Sequence, residues 1–207
     1  MPTPQLNDPE VKKLLLKMGL NQKPQLVIAR TEPGAILFEC VDNVNKMVYI
    51  VGGDIKLGWQ IWKTDNSIEA EFHAVWENPQ RLLIDITPKQ FPINQIMFVP
   101  DPSISLDGMQ IPNYMINLSK NPLVDDLILV AEAKFDFLNR GERAKQKELR
   151  LTVEQDAHGR FMVHVLSMIN YLLDKKGSRE SICPCGDTLK FKDCHGKNLA
   201  SKLASVQ

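Results

Sequence analysis

The chain has 207 residues, 43% of them hydrophobic and 24% charged, with 25 Lys and Arg balanced by 25 Asp and Glu. That length fits one medium domain with an appendage, or two small domains, and the net charge of +0 excludes general polyanion binding. The start, MPTPQLNDPE, is not a secretory signal, and no apolar run approaches the ~20 residues that span a bilayer, so a soluble cytoplasmic protein without membrane association is expected.

In chain order, Asp8-Pro9 opens a predicted helix with Leu14, Leu15 and Met18 on one side and Gly19 at its end. Residues 25–30 (QLVIAR) read as a short strand and residues 32–34 as a turn. A second helix is predicted from about Cys40 to Val51. Its Val44, Met47, Val48 and Val51 recur at helical spacing, and Gly52-Gly53 stops it. Three β-like segments follow, IKLGWQIWK, IEAEFHAVW and RLLIDIT, and QIMFVP adds a fourth. The Pro-rich stretch 99–122 reads as an irregular surface crossing. Asn121-Pro122 caps a helix reaching about Asn139. Residues 140–150 are charged and read as a solvated stretch, so nucleic-acid binding is not expected. RFMVHVLSMINYLLDKK is a second long amphipathic helix ending at Gly177. His158 falls in the loop before it, and His164 on it as a surface or packing residue. The fold class is α+β, with a core over residues 1–177 and a small module over 178–207.

The strand pair 68–76 and 81–87 carries the first candidate chemistry. Ile68, Ala70, Phe72, Ala74 and Trp76 make an apolar face, and Glu69, Glu71 and His73 share the other. If Asn78-Pro79-Gln80 is the whole loop, Glu77 pairs with Arg81, and His73 then stands directly opposite Asp85. Cross-strand pairs hold their Cβ atoms about 5 Å apart, within hydrogen-bond reach for such side chains. A carboxylate fixes a histidine's tautomer and stabilises its imidazolium. The nucleophile to match is Cys40, at the predicted start of a helix, where unpaired N–H groups favour a thiolate. The rival reading is an inert buried thiol and a His–Asp pair kept for structure. Trp59, Trp62 and Trp76 read as core or pocket wall.

The second candidate is CPCGDTLKFKDCH, which packs three of the four cysteines and one histidine into residues 183–195. A C-x-C pair is poorly placed to bridge to itself. Cys183, Cys185, Cys194 and His195 instead make the ligand set of a closed tetrahedral zinc site, with Pro184 stiffening the loop and Gly186 turning it. The alternative is four reduced residues with no common ligand. On the zinc reading, metal removal is expected to unfold only the tail.

The Cys/His stretch resembles the SEC-C motif, a small zinc module known at the tail of the translocase ATPase SecA. The matching residues are Cys183, Pro184, Cys185, Gly186, Lys190, Phe191, Lys192, Cys194, His195 and Gly196, while Asp187, Thr188 and Leu189 depart from the family pattern. The resemblance implies docking on a protein partner, such as a SecB-like chaperone or the ribosome. Residues 38–88 resemble the transglutaminase-like branch of the papain-like cysteine enzymes. FHAVW supplies His73, Ala74 and Trp76, LIDITP supplies Asp85, Thr87 and Pro88, and Cys40 opens the helix before them. The whole chain is similar to bacterial proteins that join such phrases to a SEC-C tail.

These resemblances imply a transglutaminase-like core of helix plus antiparallel sheet. They also imply a cysteine-dependent hydrolase or acyltransferase acting on a protein or peptide amide. Cys40 would be nucleophile, His73 proton carrier and Asp85 orienting residue. The competing expectation is a non-enzymatic adaptor with a degenerate core.

Overall fold

The computed structural model describes residues 3–106, 110–145 and 149–204. The chain divides into two compact units, Met1–Leu106 with Asn113–Ile116, and Asp107–Pro112 with Asn117–Gln207. The division falls well before the boundary after Gly177 that the sequence suggested. The Cys/His loop shares one apolar core with the two long helices, so it is part of the second unit rather than an appendage.

The first unit begins with helix α1 (Pro9–Lys17). The Asp8 carboxylate accepts from the Glu10 N–H at 2.9 Å, and Val11, Leu14 and Leu15 turn inward. Strand β1 is Gln25–Ala29 and helix α2 is Cys40–Val51, both close to the expected bounds. Then come β2 (Asp54–Lys63), β3 (Ser67–Glu77), β4 (Leu83–Asp85), β5 (Gln95–Pro100) and β6 (Tyr114–Asn117). The strand order is β2-β5-β1-β4-β3-β6, and a further β2–β3 pairing closes the first five strands into a barrel. The expected sheet was antiparallel, but β1 and β4 run parallel. The connection that permits this runs through α2, β2 and β3, which lie between them in the chain.

Closure explains why both faces of β3 are buried. On its outer face Ala74 and Trp76 pack with Ile86 against Val44 and Met47 of α2. A helix cannot sit inside so small a barrel, so the opposite face is the interior. There Val75 packs with Val27, Ile96 and Phe98, and His73 lies on the same side. Gly53 is required behind α2: its φ is +94°, and a Cβ there would overlap the Glu77 carbonyl.

The hairpin between β3 and β4 departs from the expected register. Trp76 pairs with Ile84 and Glu77 with Leu83, two residues on from the predicted Arg81. The loop runs from Asn78 to Leu82. Asn78 Oδ1 accepts from the N–H groups of Gln80 and Leu82, and Arg81 adopts φ +64°. The short β6, in the stretch read as irregular, follows β3 in the sheet order.

The second unit holds α3 (Pro122–Leu138), α4 (Val153–Asp174), α5 (Leu199–Leu203) and 3-10 turns at Gly141–Lys145 and Phe191–Asp193. Residues 146–148 of the charged stretch lie outside the described residues. Helix α4 starts earlier than expected, because Thr152 and Gln155 form a reciprocal capping box. His158, assigned to a loop from sequence, is therefore inside the helix, buried edge-on against Phe137 at 5.4 Å. Leu123, Val130, Met162, Val165 and Ile169 share their core with Cys183, Phe191, Leu199 and Leu203. Among the described residues no helix is long and apolar enough to cross a membrane.

Candidate active site and metal centre

The shifted register still brings His73 and Asp85 together. A shift of two residues preserves the face, so the pair becomes diagonal rather than directly opposite. His73 Nε2 lies 2.9 Å from Asp85 Oδ1, and both side chains are buried. The Thr87 N–H donates to the same carboxylate oxygen at 3.1 Å. Cys40, the first residue of α2, lines the same cavity as His73 and contributes to the upward pKa shift of its ring. His73 Nε2 is the ring atom that Asp85 engages.

Cys40 is held by a residue that sequence reasoning passed over. Asn43, one helical turn on, accepts from the Ile36 N–H at 2.8 Å and donates to the Ile36 carbonyl at 2.7 Å. It also donates to Thr87 Oγ1 at 3.3 Å. One carboxamide thus ties the turn before Cys40 to the chain just after Asp85. The available signal was a polar residue on the buried face of an apolar helix.

Lys89 is the second residue missed. Its Nζ lies 2.8 Å from Asp85 Oδ2, donates to Gln60 Oε1 at 2.9 Å, and stands 3.2 Å from His73 Nε2. The Asp85 contact is close but oblique, so it acts as charge attraction more than as a hydrogen bond. Burial of the His73 ring works against its charge. The hydrogen bonds with Asp85 and Cys40 outweigh burial, so the net direction is upward, while Lys89 opposes it. Asp85 is also desolvated, yet His73 and Lys89 hold it below the usual carboxylate range.

These groups open onto a cavity of about 280 Å³. Cys40, Gln60, Glu71, His73 and Lys89 supply its polar lining, and Phe38, Trp62, Phe72 and Phe91 supply aromatic walls. Trp62 is a wall residue, donating its indole N–H to Glu71 and packing edge-on to Phe91 at 5.6 Å. Trp76 belongs to the core beneath α2, and its indole N–H donates to the Gly52 carbonyl at 2.9 Å. Trp59 is buried and donates to Asp101.

In the second unit the ligand atoms of Cys183, Cys185, Cys194 and His195 all lie within 4.8 Å of one another. Metal–sulfur bonds of about 2.3 Å would place tetrahedral sulfurs roughly 3.8 Å apart. The Cys185 and Cys194 sulfurs are 3.6 Å apart, and His195 Nδ1 is 3.3 Å from the sulfurs of Cys183 and Cys194. Burial pushes the Cys194 thiol up to about 12, with Cys185 and Cys183 adding to the shift. A divalent ion would supply the missing positive charge. The donor set therefore fits a metal ion and is consistent with zinc. Arg179 braces this loop, pairing with Asp126 of α3 at 2.9 Å and donating to the Gly196 carbonyl at 3.1 Å. His164 of α4 packs edge-on to His195 at 5.6 Å.

Comparison with family models, curated proteins and solved structures found no match to this chain.

Proposed function

We propose that the first unit is a transglutaminase-like, papain-like cysteine enzyme that hydrolyses or transfers the acyl group of a protein or peptide amide. The observation that carries the reading is the convergence of Cys40, His73 and Asp85 at one cavity. Cys40 Sγ attacks the acyl carbon as its proton passes to His73. The tetrahedral adduct collapses to a thioester, and the leaving amine takes the proton from His73. Water or a second amine then attacks the thioester with His73 as base, and the C–S bond breaks as His73 returns the proton to Cys40 Sγ. Asp85 keeps the imidazole oriented and compensates its charge. The Cys40 N–H, at the start of α2, is a donor available to the oxyanion.

In the second unit, Cys183, Cys185, Cys194 and His195 would hold a structural zinc ion as a SEC-C-like module that docks a protein partner. Bound zinc would neutralise the thiolates and crosslink the loop. Lys190 and Lys192 both pair with Glu180, at 2.8 and 2.7 Å, which mutes the basic face that a nucleic acid would need.

The test is to trap the acyl-enzyme with an activated acyl ester and map the adduct by mass spectrometry. A hydroxylamine-labile acyl group on Cys40, lost in His73→Ala, is expected. Acylation that ignores residue 73 would remove the catalytic reading and leave a cysteine-bearing adaptor.

A further inference from the structure

Lys89 brings to this site a positive charge that a Cys–His–Asp triad does not call for. Its side chain is only 13% exposed. It sits on the segment after Asp85, where Pro88, Gln90 and Phe91 line the same cavity. The edge-on contact of Phe91 with Trp62 holds that segment over the cavity. The ammonium fixes the Gln60 amide, because only the oxygen can accept from it.

The ammonium and an imidazolium would have to share one carboxylate. Asp85 Oδ1 faces His73 and Oδ2 faces Lys89. A proton on both ring nitrogens would place a second cation 3.2 Å from the Lys89 nitrogen. A thiolate on Cys40 would gain less from Lys89, whose contacts are with Asp85, Gln60 and His73. The other groups facing His73 do not reverse this balance. On β3, Glu71 and Glu69 follow on the same face, but Trp62 holds the first and Asn113 the second. On β2 the facing residue is Gly58, which carries no side chain, with the neutral Gln60 beyond it. On α2 the facing group is Cys40 itself.

We propose that Lys89 is a positioning residue that restrains the active site by occupying the second oxygen of Asp85, so that the Cys40 thiolate–His73 imidazolium pair forms fully only when Lys89 is drawn away. This rests on the catalytic reading of Cys40, His73 and Asp85. An acyl substrate entering the cavity meets Lys89 and the Phe91 wall together. Displacing them activates the nucleophile only once the site is filled, which protects the thiol from adventitious acyl donors.

The experiment is alkylation of Cys40 by iodoacetamide in the full-length, zinc-loaded protein, read by peptide mapping from pH 5 to 10. Wild type is compared with Lys89→Met, Lys89→Gln and His73→Ala. Both Lys89 variants should react about tenfold faster than wild type at pH 7. The advantage should vanish above about pH 9, where a free thiol ionises unaided. Lys89→Gln removes the charge while keeping a polar side chain there, and is read alone if the Met variant loses its circular dichroism. Unchanged or slower reaction at pH 7, or a gain that persists at high pH, overturns the restraint. If His73→Ala slows Cys40 and the Lys89 variants do not speed it, only this proposal fails. If His73→Ala changes nothing, the catalytic reading falls with it.

Discussion

Asp85 is fully buried and charged, with His73, Lys89 and the Thr87 N–H as its partners. Replacing it by Ala strands the buried Lys89 ammonium and the His73 ring, so Asp85→Ala should destabilise the first unit by about 3–5 kcal/mol in urea unfolding. The pair also sets a pH window. The folded-state pKa of Asp85 is depressed, so its contribution is present above the unfolded value of 3.8 and is lost as pH falls through the folded one. That of His73 is raised, so its contribution is complete below the unfolded value of 6.5 and is lost as pH rises through the folded one. Urea midpoints for wild type should therefore be highest between the two limits. His73→Gln should flatten the alkaline limb and leave the acid side sloping.

At the level of single elements, α2 and the β3–β4 hairpin decide where the site residues stand. Asn43→Ala removes the three bonds that seat the start of α2. A loss of about 1–3 kcal/mol is expected, with slower acylation of Cys40 than of wild type. In the hairpin, Arg81 holds a left-handed conformation that glycine adopts freely. Its exposed pair with Glu77 is worth little, so Arg81→Gly should stabilise by roughly 0.5–1 kcal/mol, read from the thermal midpoint. Cys40–Val51 was legible because apolar spacing and Gly52-Gly53 marked both ends; β2 and β5 were legible as β-like segments, and β3 from its alternation. The hairpin register was not. Asn78-Pro79-Gln80 looked like a complete turn, and nothing in the sequence announces that Asn78 Oδ1 will cap a longer one. His73 and Asp85 could be paired from sequence all the same, because only the parity of the register had to be right. Lys89 and Asn43 were invisible for the opposite reason. Thr87 is remote from Asn43, and Gln60 and His73 are remote from Lys89; no periodic pattern points from a lysine after a proline to a carboxylate four residues back.

For the whole molecule, the metal-ligand loop and helices α3 and α4 are one cooperative body. Phe191 is fully buried among Leu123, Met162 and Ile169. Chelation is thus expected to abolish the cooperative melt of the entire second unit, not of a tail alone, while the transition of the first unit persists in calorimetry. Phe191→Ala should cost about 3–5 kcal/mol in the second unit even with metal bound. The two-unit division was not legible from composition, because the loop's apolar residues are scattered between its ligands and gain a core only from the helices. The barrel order has a consequence for how the chain is made. Strand β1 is synthesised first, yet its neighbours are β5 and β4. The run β2–β3–β4 can form as a meander while Leu26, Val27 and Ile28 wait without their antiparallel partner. A nascent chain that has not reached Gln95 therefore carries its first strand as an open, apolar edge, and synthesis of β5 is the event that ends its exposure to aggregation.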